Sequence, residues 1–333
     1  MRWVSRATTA AMAAGTVVGL VAAATPSVAA SKSAAPLASV VRCTSTDHGL
    51  AEKLSRDVTK ALAGRKSMVS LSFYDRPTGT RCVLDDAKAY DAASTAKTII
   101  LGALLYHRGG TLPAAEDALA RKMIIDSDNA AATTLWKRLS DLKDPAHPNT
   151  VKVQEFLDRA ELRHTVPDKE GFWGLTQITA GDQAALLRIF TGTGGSVLGG
   201  KARAYALDLM KNVRSDQRWG ATAGAPLDSV VHVKNGWLQR SRNPDVDVFD
   251  RGDWKVNSTV ALTGNGYDSG LVVLSENNRV PEGHPENEGW DYGIATIETV
   301  SRAIYRDVYP GTGGYTPGKP APEDAEPLTA PGV

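Results

Sequence analysis

The sequence predicts an α+β fold of the three-layer α/β-sandwich type, in which an antiparallel sheet built from both ends of the chain is flanked by helices and an all-helical lobe is inserted between its strands. Three observations carry this. Strand-like alternation is confined to residues 68–84 and 230–275. The stretch 94–213 between them runs mostly at helical period. Amphipathic helical segments precede the first strand region and follow the last, where they can cover a sheet.

In chain order, residues 1–30 read as a secretory signal. Arg2 and Arg6 form a charged start, 10–24 are apolar and Ala-rich, and Ser27-Val28-Ala29-Ala30 offers small-residue cleavage sites. Residues 31–42 are a small-residue linker. A helix is expected over 47–62, stopped by Gly64. Residues 68–74 alternate as a strand, Pro77-Thr78-Gly79 makes a turn, and 80–84 return as a hairpin. A helix starting near Ser94 is apolar on all sides, which suits burial in a core.

Further helices are expected over 114–125, 130–139, 151–160, 179–191 and 201–213. Loops fall at 144–148, at 168–174 and in the Gly-rich 192–200. Thr179 is the expected cap that places Asp182 in a first turn. Strands return at 230–238, 256–263 and 271–275, the last two joined by an Asn265-Gly266 turn. Residues 287–308 form a closing helix, and the Pro/Gly-rich 310–333 a disordered tail. The domain is therefore 43–309, with a sheet lobe from 43–93 and 215–309 and a helical lobe from 94–214.

Composition excludes several classes of function. The chain of 333 residues carries a formal charge of +1. The first thirty residues hold two basic residues and no acid, so the remainder stays close to neutral and lacks a nucleic-acid signature. The six His are scattered, with no metal-ligand spacing, and no metal or cofactor is expected. Cys43 and Cys82 are an even pair in a chain read as secreted, and a disulfide is expected between them. No membrane span is expected after signal cleavage, and a monomer is expected.

Candidate chemistry begins at Ser94. Lys97 follows by three positions, so on a helix its side chain reaches the Ser94 hydroxyl. A lysine desolvated in such an apolar segment loses proton affinity and can act as a base toward serine. Ser127-Asp128-Asn129 interrupts a helical stretch and can aim a hydroxyl at a cleft, although these are also cap residues. Lys234-Asn235-Gly236 lies inside a strand, where glycine admits a ligand close to the backbone.

These three motifs, in this order and each in a suitable element, resemble those of the penicillin-recognising serine enzymes, most closely the class A β-lactamases. The resemblance spans roughly residues 47–309 and implies a β-lactamase/transpeptidase-like fold. It implies that Ser94 is the acylated nucleophile, Lys97 the amine that activates it and Ser127 the proton shuttle. Asn129 and Lys234 would bind substrate, with Asn235, Gly236 and Trp237 lining the cleft. The backbone N–H groups of Ser94 and Trp237 would form the oxyanion hole.

The family also carries a Glu-x-x-Leu-Asn segment whose Glu activates the deacylating water. Neither Glu161-Leu162-Arg163-His164 nor Asp168-Lys169-Glu170 matches it, and Glu170 is carried as the candidate for that role. The arginine expected near the last strands is absent, leaving Asn257-Ser258 as the place to seek a carboxylate binder. Trp173, Trp237 and Phe172 could rim the cleft or pack between lobes. The expected function is a secreted serine hydrolase working through an acyl-Ser94 intermediate on small-molecule β-lactams or related acyl and amide substrates. Alternatives are a D-alanyl-peptidase-like penicillin-binding enzyme that deacylates slowly, or a non-catalytic binder of cell-wall peptide.

Overall fold

In the computed structural model, the residues described are 40–140, 150–192, 197–241, 243, 245, 250–278 and 288–318. The expected signal, most of the linker, the 144–148 loop and the tail beyond 318 lie outside them. Six strands form one antiparallel sheet: β1 (Arg42–Thr44), β2 (Met68–Asp75), β3 (Thr80–Leu84), β6 (Val230–Gln239), β7 (Trp254–Gly264) and β8 (Tyr267–Glu276). Their spatial order is β1-β3-β2-β8-β7-β6. The two ends of the chain meet at the β2–β8 pairing, where Phe73 opposes Leu271. This is the expected sheet, extended by β1.

β2 is the central strand, and both of its faces are covered. Its alternation persists because serines occupy one face. Ser70 is fully buried and satisfied by donating to the Asp85 carbonyl at 2.9 Å. The β7–β8 turn has Asn265 at φ 46° and Gly266 at φ 86°, the left-handed pair that a two-residue hairpin needs.

Local capping sets the helix starts, at Thr179 as expected and at Asp47, the expected first residue of its helix, which caps it instead. Asp47 caps α1 (His48–Leu62) through Gly49 and Leu50 N–H, and Thr179 caps α6 (Ala180–Thr191) through Asp182 N–H. α1 packs beside the closing helix α8 (Glu288–Val308), which lies on β7 and β8. α6 lies on β2, β7 and β8. That corrects its expected place in the helical lobe: α6 is a cover of the sheet.

The lobe centres on α2 (Ala96–His107), in which every residue from Ala96 to Leu105 is buried. Around it stand α3 (Ala114–Ile125), α4 (Asn129–Leu139) and α5 (Val151–Arg159). A Cβ at Gly102 would meet the Phe156 ring at 2.5 Å, so glycine there permits close contact with α5. α7 (Gly200–Lys211) touches both α6 and β6.

Two short elements escaped the sequence. β4 (Tyr90–Asp91) pairs with β5 (Gln177–Ile178) just before the Ser94 turn. The tail expectation also needs correction over its first residues. Tyr315 exchanges two backbone hydrogen bonds with the 224–225 segment, Gly224 N–H to Tyr315 O at 2.8 Å and Tyr315 N–H to Ala225 O at 2.9 Å. As expected, Cys43 and Cys82 form a disulfide, and they sit opposite each other across β1 and β3.

Candidate active site

Ser94 lies in a 3-10 turn, Ala93–Thr95, that feeds directly into α2. Ser94 thus sits at the helix start as expected, and its hydroxyl accepts a hydrogen bond from Lys97. The Lys97 Nζ lies 2.8 Å from Ser94 Oγ, 3.0 Å from Ser127 Oγ and 2.7 Å from Asn129 Oδ1, and also donates to the Ser127 carbonyl. Lys234 Nζ lies 2.9 Å from Ser127 Oγ on its other side. Ser127 Oγ therefore bridges two amines, and Ser94, Lys97, Ser127, Asn129 and Lys234 form one connected cluster.

Both amines are fully buried. Burial, reinforced by the charge of Lys234, holds Lys97 well below the ordinary lysine range. Burial alone pulls Lys234 down to about 7. Ser94, Ser127 and Asn129 are half-buried, so the serine end of the cluster opens to solvent. Two backbones at the site are strained: Ala93 has φ 48° and Ser127 φ 57°, both left-handed without being glycine.

β6 is an edge strand of the sheet, and its alternation sorts the Lys-Asn-Gly motif by face. Lys234 and Gly236 point at the nucleophile turn. An added Cβ at Gly236 would stand 2.6 Å from Thr95 N, 2.7 Å from Ser94 N and 3.0 Å from Ala92 O. Asn235 and Trp237 face the other way, which corrects their expected side-chain role in lining the cleft.

The Asn235 amide donates to the Gln217 and Trp219 carbonyls at 2.8 and 3.0 Å and accepts from Ser258 Oγ at 2.6 Å. Trp237 packs against Trp219 and Trp290, with ring centroids 5.6 and 5.8 Å away. Only the backbone of these two residues stays on the edge beside Ser94.

Asn257 and Ser258 are likewise unsuited to binding a carboxylate, because both are fully buried and their donors are already engaged. Asn257, opposite Gly236 on β7, donates its amide to the Asp91 and Ala92 carbonyls at 2.8 and 3.1 Å. It thereby braces the turn that presents Ser94. No local pattern marked it for that task.

Glu170 does not join the cluster. It is exposed, its N–H donates to Asp168 Oδ2 at 2.9 Å, and Phe172 N–H donates to the same oxygen at 3.1 Å. Glu161 is exposed too, at φ 56° just after α5. The residue that this loop sends inward is Trp173. Its ring covers Lys97, with Nζ 5.0 Å from the centroid, and its Nε1 donates to Thr133 Oγ1 on α4 at 3.1 Å. Phe172 is half-buried.

A hydroxyl held beside a desolvated amine, at the start of a buried helix and against an edge strand, is equipped for nucleophilic attack on a carbonyl. Fold and site together define a serine-hydrolase-type chain of the β-lactamase class. The sequence profile of the Beta-lactamase enzyme family matches residues 111–308, and the chain belongs to that family. No curated protein matches it.

Among solved structures, the chain is similar to the TLA-1 extended-spectrum β-lactamase at 15% identity and a TM-score of 0.60, covering 77% of this chain and 98% of that one. A class A β-lactamase representative from Bacteroides cellulosilyticus matches at 15% identity and a TM-score of 0.58, covering 77% and 97%. At this identity, the likeness establishes the α+β fold of class A β-lactamases.

Proposed function

We propose that this chain is an exported serine acyl-transfer enzyme that opens β-lactams or related amides through an ester on Ser94. The observation that carries the reading is the fully buried Lys97 amine, 2.8 Å from the half-buried Ser94 hydroxyl. A neutral Lys97 takes the Ser94 proton as Oγ attacks the carbonyl. The oxyanion forms against the Ser94 and Trp237 N–H groups. As the C–N bond breaks, Ser127 gives its proton to the leaving nitrogen and regains one from the lysine pair. Lys234, when protonated, attracts an anionic group on the substrate. The Cys43–Cys82 disulfide and the signal-like residues 1–30 support export to an oxidising compartment.

The test is an intact-mass time course with excess benzylpenicillin, with released product followed in parallel and Ser94→Ala as control. A mass increase on Ser94, or steady product release, is expected in the parent protein and absent in Ser94→Ala. Activity that survives Ser94→Ala would overturn the assignment. A second reading, a penicillin-binding enzyme that acylates but deacylates slowly, is favoured by the outward position of Glu170.

A further inference from the structure

Once an ester stands on Ser94, its fate depends on what can deprotonate a water beside it. Among the described residues, no carboxylate hydrogen-bonds or ion-pairs with Ser94, Lys97, Ser127 or Lys234. Asp128, the acid nearest in sequence to the cluster, accepts the Ala131 N–H at 2.6 Å as the cap of α4. Asp168 is turned onto the backbone of its own loop, which leaves Glu170 pointing to solvent. The space beside Lys97 is taken by the Trp173 ring.

This placement is built. Trp173 is 5% exposed and begins a 3-10 turn, Trp173–Leu175. Its indole N–H is tied to Thr133, one helical turn beyond Asn129. The same helix thus holds Lys97 through Asn129 and anchors the ring that covers Lys97. An indole face attracts an ammonium and excludes water, and it carries no base.

We propose that Trp173 is a positioning residue that determines the lifetime of the acyl-enzyme: its ring fills the place where a carboxylate could activate water, so the Ser94 ester forms readily and hydrolyses slowly. This rests on the serine acyl-enzyme reading above. Hydrolysis then adds water across the ester, with the proton taken by Lys97 in place of a carboxylate, and returns the free acid and the Ser94 hydroxyl. Positioned general bases contribute about 10²–10⁴-fold to such steps.

The experiment measures acylation rate and adduct lifetime separately, using a fluorescent penicillin on the full chain and on Trp173→Phe and Trp173→Glu. In the parent protein the adduct is expected to persist for minutes or longer. Trp173→Phe, which keeps a baseless ring but gives up the Thr133 tie, is expected to keep the adduct long-lived, without the shortening expected of Trp173→Glu. Trp173→Glu is expected to shorten it about tenfold or more while acylation changes far less.

An adduct that forms and clears within seconds in the parent protein would overturn this inference alone. So would variants that slow acylation and deacylation in equal proportion, the mark of a merely structural ring. No adduct and no product in any protein would overturn the acyl-enzyme reading itself.

Discussion

Gly236 and Ser94 lie back to back: a Cβ on Gly236 would stand 2.7 Å from the Ser94 nitrogen. The edge strand and the nucleophile turn approach so closely that only a hydrogen fits between them. This contact sets the Ser94 nitrogen directly against the β6 edge.

Gly236→Ala is therefore expected to push the turn off the strand. Misplacement on the scale of 1 Å costs reactions about 10²-fold, and a loss of that order in acylation rate is expected. Stopped-flow acylation read beside far-UV circular dichroism checks it. A variant that acylates at the parent rate would show that the turn shifts without harm.

The pH profile follows from the two amines. Lys97 works as a base only when neutral, so acylation rises with pH on the acid side, and its depressed pKa brings that limb below the ordinary lysine range. Lys234 attracts an anionic substrate only when protonated, so that contribution is lost as pH rises through about 7. A bell-shaped profile is expected with anionic substrates. Lys234→Arg, which stays charged, should move the alkaline limb upward.

Stability carries the same signature with its own sign. The unfolded chain binds the Lys234 proton more tightly than the folded one between about 7 and the unperturbed lysine value of about 10.4. Stability from this group therefore rises with pH across that window, and removing it in Lys234→Met should flatten the slope in urea titrations.

Asn257→Leu removes the amide that serves both the Asp91 and Ala92 carbonyls. The Ala92 carbonyl keeps the Thr95 N–H and hydroxyl as donors, so the cost falls mainly on the Asp91 carbonyl, where a lost buried hydrogen bond is worth about 1–3 kcal/mol. A lowered midpoint in urea is expected together with slower acylation, because the left-handed Ala93 loses its brace. Equal acylation in the variant would show that the turn holds itself.

The disulfide is expected to act on stability alone. It closes a sequence separation of 39 residues, for which chain entropy gives roughly 4 kcal/mol. The Cys43→Ser/Cys82→Ser double variant should lose about 2–4 kcal/mol in denaturant, while its acylation rate at room temperature stays unchanged. A change in acylation would reveal a coupling between β1 and the site.

Much of this protein was legible in the residues because the forces involved are local. The cap at Thr179, the Asn265-Gly266 turn and the all-apolar α2 each follow from a few neighbouring side chains. The spacing of Ser94 and Lys97 sufficed to bring hydroxyl and amine together, since three positions on a helix are one turn.

What remained hidden depends on which face of an element meets a distant partner. Alternation along β6 was visible, but only the approach of the Ser94 turn made the Lys234–Gly236 face the reactive one and sent Asn235 and Trp237 to the other side. The 168–174 loop had no period to read, so sequence could nominate Glu170, whereas the fold placed Trp173 on Lys97. Asn257, fully buried on β7, lies 166 residues from the carbonyl it braces. A side chain's direction is decided by packing and by the need to satisfy buried polar groups, and both arise only when segments remote in sequence come into contact.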